Sequence, residues 1–134
     1  MLCVPRVLVV DDTPGLRMLI RINLELEGFD VQEAVDGRDA LDQLAALADD
    51  ELPDLVTFDV VMPRMDGFDA ASAVRSDPRY ADVALVMVTT QAGPADMVRA
   101  REIGVDAYVT KPFDPEELTA TLHRVLADRG ARGQ

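Results

Sequence analysis

Four short apolar runs in this chain each end on a residue that carries charge or a hydroxyl. Leu55-Val56-Thr57-Phe58 closes on Asp59, and Val7-Leu8-Val9-Val10 closes on the pair Asp11-Asp12. Leu85-Val86-Met87-Val88 closes on Thr89, and Ala107-Tyr108-Val109 is followed after one residue by Lys111-Pro112. Asp59 is the most informative of these, because an unpaired carboxylate at the end of a buried run is costly. If the runs are neighbouring strands about 4.8 Å apart, Asp11, Asp12 and Asp59 converge. Three ionised carboxylates that close repel one another unless a cation joins them. With oxygen donors and neither histidine nor a second cysteine nearby, a hard divalent ion is favoured, Mg2+ over Zn2+. Lys111 starts roughly 10 Å from Asp59 by the same spacing, and its flexible stem brings an ammonium back over the site. A carboxylate, a metal, a lysine and the Thr89 hydroxyl suit transient phosphorylation of the carboxylate itself.

Taken singly, the pieces have plainer readings. Asp-Asp before Thr-Pro can be helix capping, Asp66-Gly67 can be a turn, and Lys-Pro after a strand can be a loop. Their joint occurrence, in order and each at a strand end, is what points to a site.

The elements that must position these groups alternate along the chain. Short runs rich in β-branched residues fall at 6–10, 31–35, 54–59, 83–88 and 106–109. Between them lie helical stripes: Leu16, Leu19, Ile20 and Leu24; Leu41, Leu44, Leu47 and Ala48; Phe68, Ala71 and Val74; a weaker Met97, Val98 and Ala100; and Leu118, Leu122, Val125 and Leu126. Thr13-Pro14 and Asp114-Pro115-Glu116-Glu117 read as helix starts, the second resembling a capping box. Gly28 and Gly104 stand where helices one and four should stop. Asp49 to Pro53 reads as a charged loop, and Arg129 to Gln134 as a frayed tail.

Five βα units imply a parallel sheet covered on both faces, a doubly wound α/β fold of the flavodoxin-like type. The first and third strands are nearly unbroken apolar runs and belong in the centre. The second, Val31-Gln32-Glu33-Ala34-Val35, is more polar and belongs at an edge. The expected order is 2-1-3-4-5, with the ligand site at the carboxyl ends of the strands, where strands one and three diverge.

At 134 residues the chain reads as one domain, 1–134, with its core at 6–129. A net charge of −12 argues against direct nucleic-acid binding, which needs clustered lysine and arginine. The single cysteine, Cys3, precludes an internal disulfide and suits a reducing compartment. Met1 to Val10 carries one basic residue and reaches Asp11 too early for a signal peptide. No run approaches the roughly 20 apolar residues of a membrane span. The expectation is a cytoplasmic protein with no membrane association.

In these residues the chain resembles a response-regulator receiver domain of two-component signalling, over residues 6 to 129. The resemblance implies that Asp59 accepts the phosphoryl group from a histidine kinase and that Mg2+ is the cofactor. Asp12 would hold the metal directly, Asp11 largely through water, and the backbone carbonyl of Val61 would supply a further ligand beside Asp59. It further implies that Lys111 contacts the phosphoryl group, that Lys111-Pro112 is a cis peptide, and that Thr89 and Tyr108 form a switch pair. Val61 and Gln91 occupy the positions that tune dephosphorylation, and the surface formed by helix 4, strand 5 and helix 5, about residues 94–126, would meet an output protein. Such a chain catalyses only its own phosphorylation and dephosphorylation. The few residues after Arg129 imply a stand-alone receiver.

A phosphorelay intermediate that passes the phosphoryl group onward, and phosphorylation-dependent homodimerisation, stay open. A phosphohydrolase of the haloacid-dehalogenase type also forms an aspartyl phosphate, but places a second aspartate where Val61 stands here. A nucleotide- or flavin-binding domain would need a glycine-rich phosphate loop after the first strand. His123, the sole histidine, reads as a solvated helix residue rather than a phosphoryl carrier.

Overall fold

Strands and helices alternate as the periodicity requires. The computed structural model describes residues 4–132. In chain order these form β1 (Arg6–Val10), α1 (Pro14–Leu26), β2 (Asp30–Ala34), α2 (Gly37–Ala46), β3 (Leu55–Phe58), α3 (Gly67–Ser76), β4 (Ala84–Thr89), α4 (Pro94–Ile103), β5 (Ala107–Thr110) and α5 (Pro115–Arg132). All neighbours pair in parallel, in the order β2-β1-β3-β4-β5. The order is the expected one, with the polar strand β2 at an edge.

Side-chain alternation along the strands splits the core in two. Leu8 and Val10 of β1, Val56 and Phe58 of β3, and Leu85 and Met87 of β4 point to the face covered by Ala40 and Leu44 of α2, Phe68, Ala71 and Val74 of α3, and Ala100 of α4. Val7 and Val9, Leu55, and Ala84, Val86 and Val88 point to the other, covered by Ile20 and Leu24 of α1 and Leu118, Leu122 and Val125 of α5. Each fully buried valine, leucine, isoleucine, phenylalanine or methionine among them contributes about 1.5–3 kcal/mol. Because the central strands are covered on both faces, they can be apolar at every position.

The structure corrects several details. Leu19 is 48% exposed, and Met18, Ile22 and Leu26 are exposed as well. α1 is apolar on more than one side, and the stripe that packs on the sheet is Leu16, Ile20 and Leu24. α2 ends at Ala46, so Leu47 is its C-cap and Ala48 lies beyond it, exposed. Met97 and Val98 of α4 face outward. Residues Asp49–Glu51 form a 3-10 turn rather than an irregular loop.

Thr13 takes the N-cap backbone position of α1, but its hydroxyl caps nothing; its N–H instead donates to Asp11 Oδ1 at 2.9 Å. At α5, Asp114 Oδ1 does accept from the Glu116 N–H. Gly28 and Gly104, with φ of 92° and 97°, adopt the left-handed conformation at the ends of α1 and α4. The expected frayed tail is helical through Arg132. Arg129 is held by Asp106 Oδ1 at 2.9 Å and the Ala81 carbonyl at 2.8 Å. Cys3 and the final pair Gly133 and Gln134 lie outside the described residues. His123 is exposed, its ring centroid 4.8 Å from that of Phe29.

Candidate phosphoacceptor and metal site

Strand register brings the charged residues together. Val10 pairs with Phe58, so Asp11 and Asp59 emerge side by side one residue later, and the Asp59 N–H donates to the Val10 carbonyl at 3.2 Å. Thr89 pairs with Thr110, so Lys111 follows directly, its N–H donating to the Thr89 carbonyl at 2.9 Å.

Asp11, Asp12 and Asp59 each offer a carboxylate oxygen, and these lie within 4.8 Å of one another. Asp11 is 2% exposed, Asp59 is half-buried and Asp12 faces solvent. The Lys111 ammonium bridges the two inner carboxylates, with Nζ 2.9 Å from Asp11 Oδ2 and 3.0 Å from Asp59 Oδ2. Burial works to lower the lysine's pKa, but its bonds to Asp11 and Asp59 outweigh that, and the ammonium is held above its ordinary 10.5. One ammonium against three carboxylates leaves an excess of negative charge. The all-oxygen donor set therefore fits a small hard divalent cation.

Two arginines brace the loops that carry these groups. Arg17 of α1 donates through Nη1 to the Asp11 carbonyl at 2.8 Å and through Nε to Glu33 of β2 at 2.9 Å. Arg64, in the loop between β3 and α3, grips Asp36 beyond the end of β2. Those bonds, more than burial opposes them, hold the Asp36 carboxyl below the usual carboxylate range. No pattern in the sequence exposes either contact, since the partners are 16 and 28 residues apart.

Gly67 is a third position whose importance shows only in three dimensions. It opens α3 directly beneath the site, where a Cβ would stand 2.0 Å from the Asp59 carbonyl oxygen. Its neighbour Asp66 caps α3 by accepting from the Asp69 N–H. The Asp-Gly pair is thus a helix start built against Asp59.

Thr89 is fully buried at the end of β4, and its hydroxyl oxygen accepts from the Gln91 N–H at 3.2 Å. The Gln91 carbonyl in turn accepts from the hydroxyl of half-buried Tyr108. One residue thereby holds both hydroxyls. Desolvation, then the charges of Asp96 and Asp59, raise the tyrosine's pKa. The Gln91 side chain is exposed and reaches Asp96 at 3.4 Å. Val61 is 62% exposed, and its N–H approaches Asp59 Oδ1 at 3.4 Å. The Lys111–Pro112 peptide is cis.

A doubly wound sheet that gathers three carboxylates and a lysine at its carboxyl end defines a narrow class of protein. Residues 7–123 match the response regulator receiver domain, and the chain belongs to that family. It is 41% identical over 122 residues to the DNA-binding dual master transcriptional regulator RpaA of Synechocystis sp., a match covering 91% of this chain and 49% of that protein. The chain thus spans about half the length of that relative. It is 40% identical over 122 residues to chemotaxis protein CheY1 of Helicobacter pylori, covering 90% of this chain and 96% of that one. The crystal structure of CheY4 of Vibrio cholerae superposes with a TM-score of 0.84 at 34% identity, covering 92% of this chain and 99% of CheY4. Among the described residues no helix is long and apolar enough to cross a membrane.

Proposed function

We propose that this receiver takes a phosphoryl group onto Asp59 from the phosphohistidine of a histidine kinase, and that Asp11, Asp12 and the Val61 carbonyl, with Asp59, hold Mg2+ for the transfer. The observation that carries this reading is the Lys111 ammonium lying between Asp11 and Asp59 beside a third carboxylate. When bound, the metal would supply positive charge to the phosphoryl oxygens.

An Asp59 carboxylate oxygen attacks phosphorus, an oxygen–phosphorus bond forms as the donor's phosphorus–nitrogen bond breaks, and the electron pair leaves on the imidazole. Lys111 neutralises charge on the transferred group. Its present bond to Asp59 Oδ2 puts the ammonium at the oxygens that change charge.

The new phosphate adds about −1.5 to −2 charges and strong acceptors. Thr89 would leave the Gln91 N–H to donate its hydroxyl to the phosphate. Gln91 also accepts from Tyr108, so that move loosens the tyrosine's anchor on the same residue. The surface that reads the change lies at residues 94–126, against an output protein, in a cytoplasmic setting.

The test is Mg2+-dependent labelling by acetyl phosphate, which is expected to disappear in Asp59→Asn. Steady turnover of general phosphoesters would instead support a phosphohydrolase. A second test concerns lifetime. The Val61 side chain is exposed beside Asp59 and cannot hydrogen-bond a hydrolysing water. Val61→Asn is expected to shorten the acyl-phosphate half-life about tenfold, the rate equivalent of one hydrogen bond of about 1.4 kcal/mol. Equal decay in the two proteins would remove Val61 from any timing role.

A further inference from the structure

The loop between β3 and α3 carries Val61 and is pressed against the turn between β2 and α2 at two points. Gly37, the first residue of α2, backs so closely onto it that a Cβ there would meet the Met65 carbonyl oxygen at 2.8 Å. Beside that contact Arg64 forks onto Asp36, with Nε 2.7 Å from Oδ2 and Nη2 3.0 Å from Oδ1. Asp36 is 4% exposed, and its Oδ1 also caps α2 by accepting from the Asp39 N–H at 2.8 Å. A planar guanidinium on a carboxylate that is itself fixed defines direction as well as distance.

Arg64 stands out for a second, independent reason. Its φ is 66°, which makes it the non-glycine residue of positive φ among the described residues. A side chain with a Cβ rarely adopts that conformation and keeps it where surrounding contacts over-determine it. The bonds that do so here lead across to the rim of the edge strand and not into the acidic cluster. The tight turn Pro63–Met65, closed by the Met65 N–H on the Pro63 carbonyl at 2.7 Å, sits between that anchor and Val61.

We infer that Arg64 is a positioning residue: latched to Asp36, it fixes the β3–α3 loop so that the Val61 carbonyl is presented to the divalent cation. This rests on the metal reading of the site given above. It assigns the edge strand, which contributes no ligand itself, a part in setting metal affinity.

Charge and positioning make opposite predictions, and that decides the test. Arg64 is a cation on the loop that carries Val61, so by Coulomb's law alone its removal leaves Mg2+ binding unchanged or strengthens it. Loss of a group that orients a ligand weakens it, typically by 10-fold or more. The measurement is Mg2+ titration calorimetry on the full chain, comparing wild type with Arg64→Asn, since asparagine tolerates the left-handed backbone. The expected result is a Kd about 10-fold higher, with faster amide exchange at residues 62–65 in the metal-free protein.

Arg64→Lys keeps the charge and loses the fork, so it too is expected to bind Mg2+ more weakly, and it carries the test alone if the asparagine variant does not fold. Arg38→Ala removes a cation that reaches only as near as 3.7 Å to exposed Asp42 and is expected to leave affinity unchanged or slightly tighter. An unchanged or lower Kd in the Arg64 variants overturns the latch. A wild-type chain that binds no Mg2+ overturns the metal reading and the latch together.

Discussion

Lys111→Met is expected to strengthen Mg2+ binding and, in the absence of Mg2+, to destabilise the fold by about 3 kcal/mol. Both effects have one cause. The ammonium lies 2.9 Å from Asp11 and 3.0 Å from Asp59, and Asp11 is buried. Methionine fills similar space but leaves the inner carboxylates facing each other with no countercharge. Removing one partner from a buried pair costs about 3–5 kcal/mol, and partial exposure of Asp59 places the loss at the lower end. A divalent cation no longer competes with the ammonium for the same oxygens, so its affinity rises. Binding to the native state alone then restores stability by linkage.

Urea denaturation in chelator and in excess Mg2+ measures both terms. A variant as stable as wild type in chelator would show that Lys111 does not neutralise the site, and one that gains no stability from Mg2+ would show that the cation does not take its place. The pH dependence follows with its sign. The lysine's pKa is raised above 10.5, so its contribution to stability is complete below 10.5 and is lost as pH climbs through the raised value. Phosphoryl transfer should fall sharply in the same variant, because tighter metal binding does not replace the ammonium on the transferred group.

The second large effect is expected at Gly67. An added Cβ would stand 2.0 Å from the Asp59 carbonyl oxygen, 2.8 Å from its carbonyl carbon and 3.0 Å from Met87 Cε. The methionine end can move, but the backbone of Asp59 is tied to Val10 by its own N–H. Relief therefore comes only by shifting α3 or Asp59. Overpacking at an unyielding contact costs about 3 kcal/mol, which for a domain of this size lowers Tm by about 10 °C. Gly67→Ala should also lose most acetyl phosphate labelling, since Asp59 is displaced relative to Lys111. Gly15→Ala is the matching control: nothing lies within 4 Å of its added Cβ, and it sits inside α1. Alanine there should raise stability by up to about 1 kcal/mol. Thermal melts of the two variants, one falling and one rising, check the argument.

Much of this was legible in the chain because the sheet is parallel and covered on both faces. Such strands are nearly continuous apolar runs, so a stretch like Leu55 to Phe58, buried throughout and polar only at Thr57, declares both its length and its central place. A polar residue closing the run then marks the carboxyl edge, where Asp11, Asp59, Thr89 and Lys111 all stand. Register did the rest, since each lies one residue or less beyond a paired position.

What stayed hidden depends on contacts between loops. Nothing in the spacing of Asp36 and Arg64, or of Asp106 and Arg129, tells that they meet. Asp66-Gly67 looks like any turn until α3 is seen to start against Asp59. The misplaced Leu19 has another cause. α1 carries apolar residues on several sides, and periodicity alone does not tell which stripe the sheet will take.

The most direct test of the account is to locate the phosphate. The chain is treated with acetyl phosphate in Mg2+, the acyl phosphate is reduced with borohydride to mark the modified carboxyl as homoserine, and peptides are read by mass spectrometry. The mark is expected at position 59, dependent on Mg2+ and strongly reduced in Lys111→Met. A mark on another carboxylate, or one at position 59 that forms equally well without Mg2+, would contradict it.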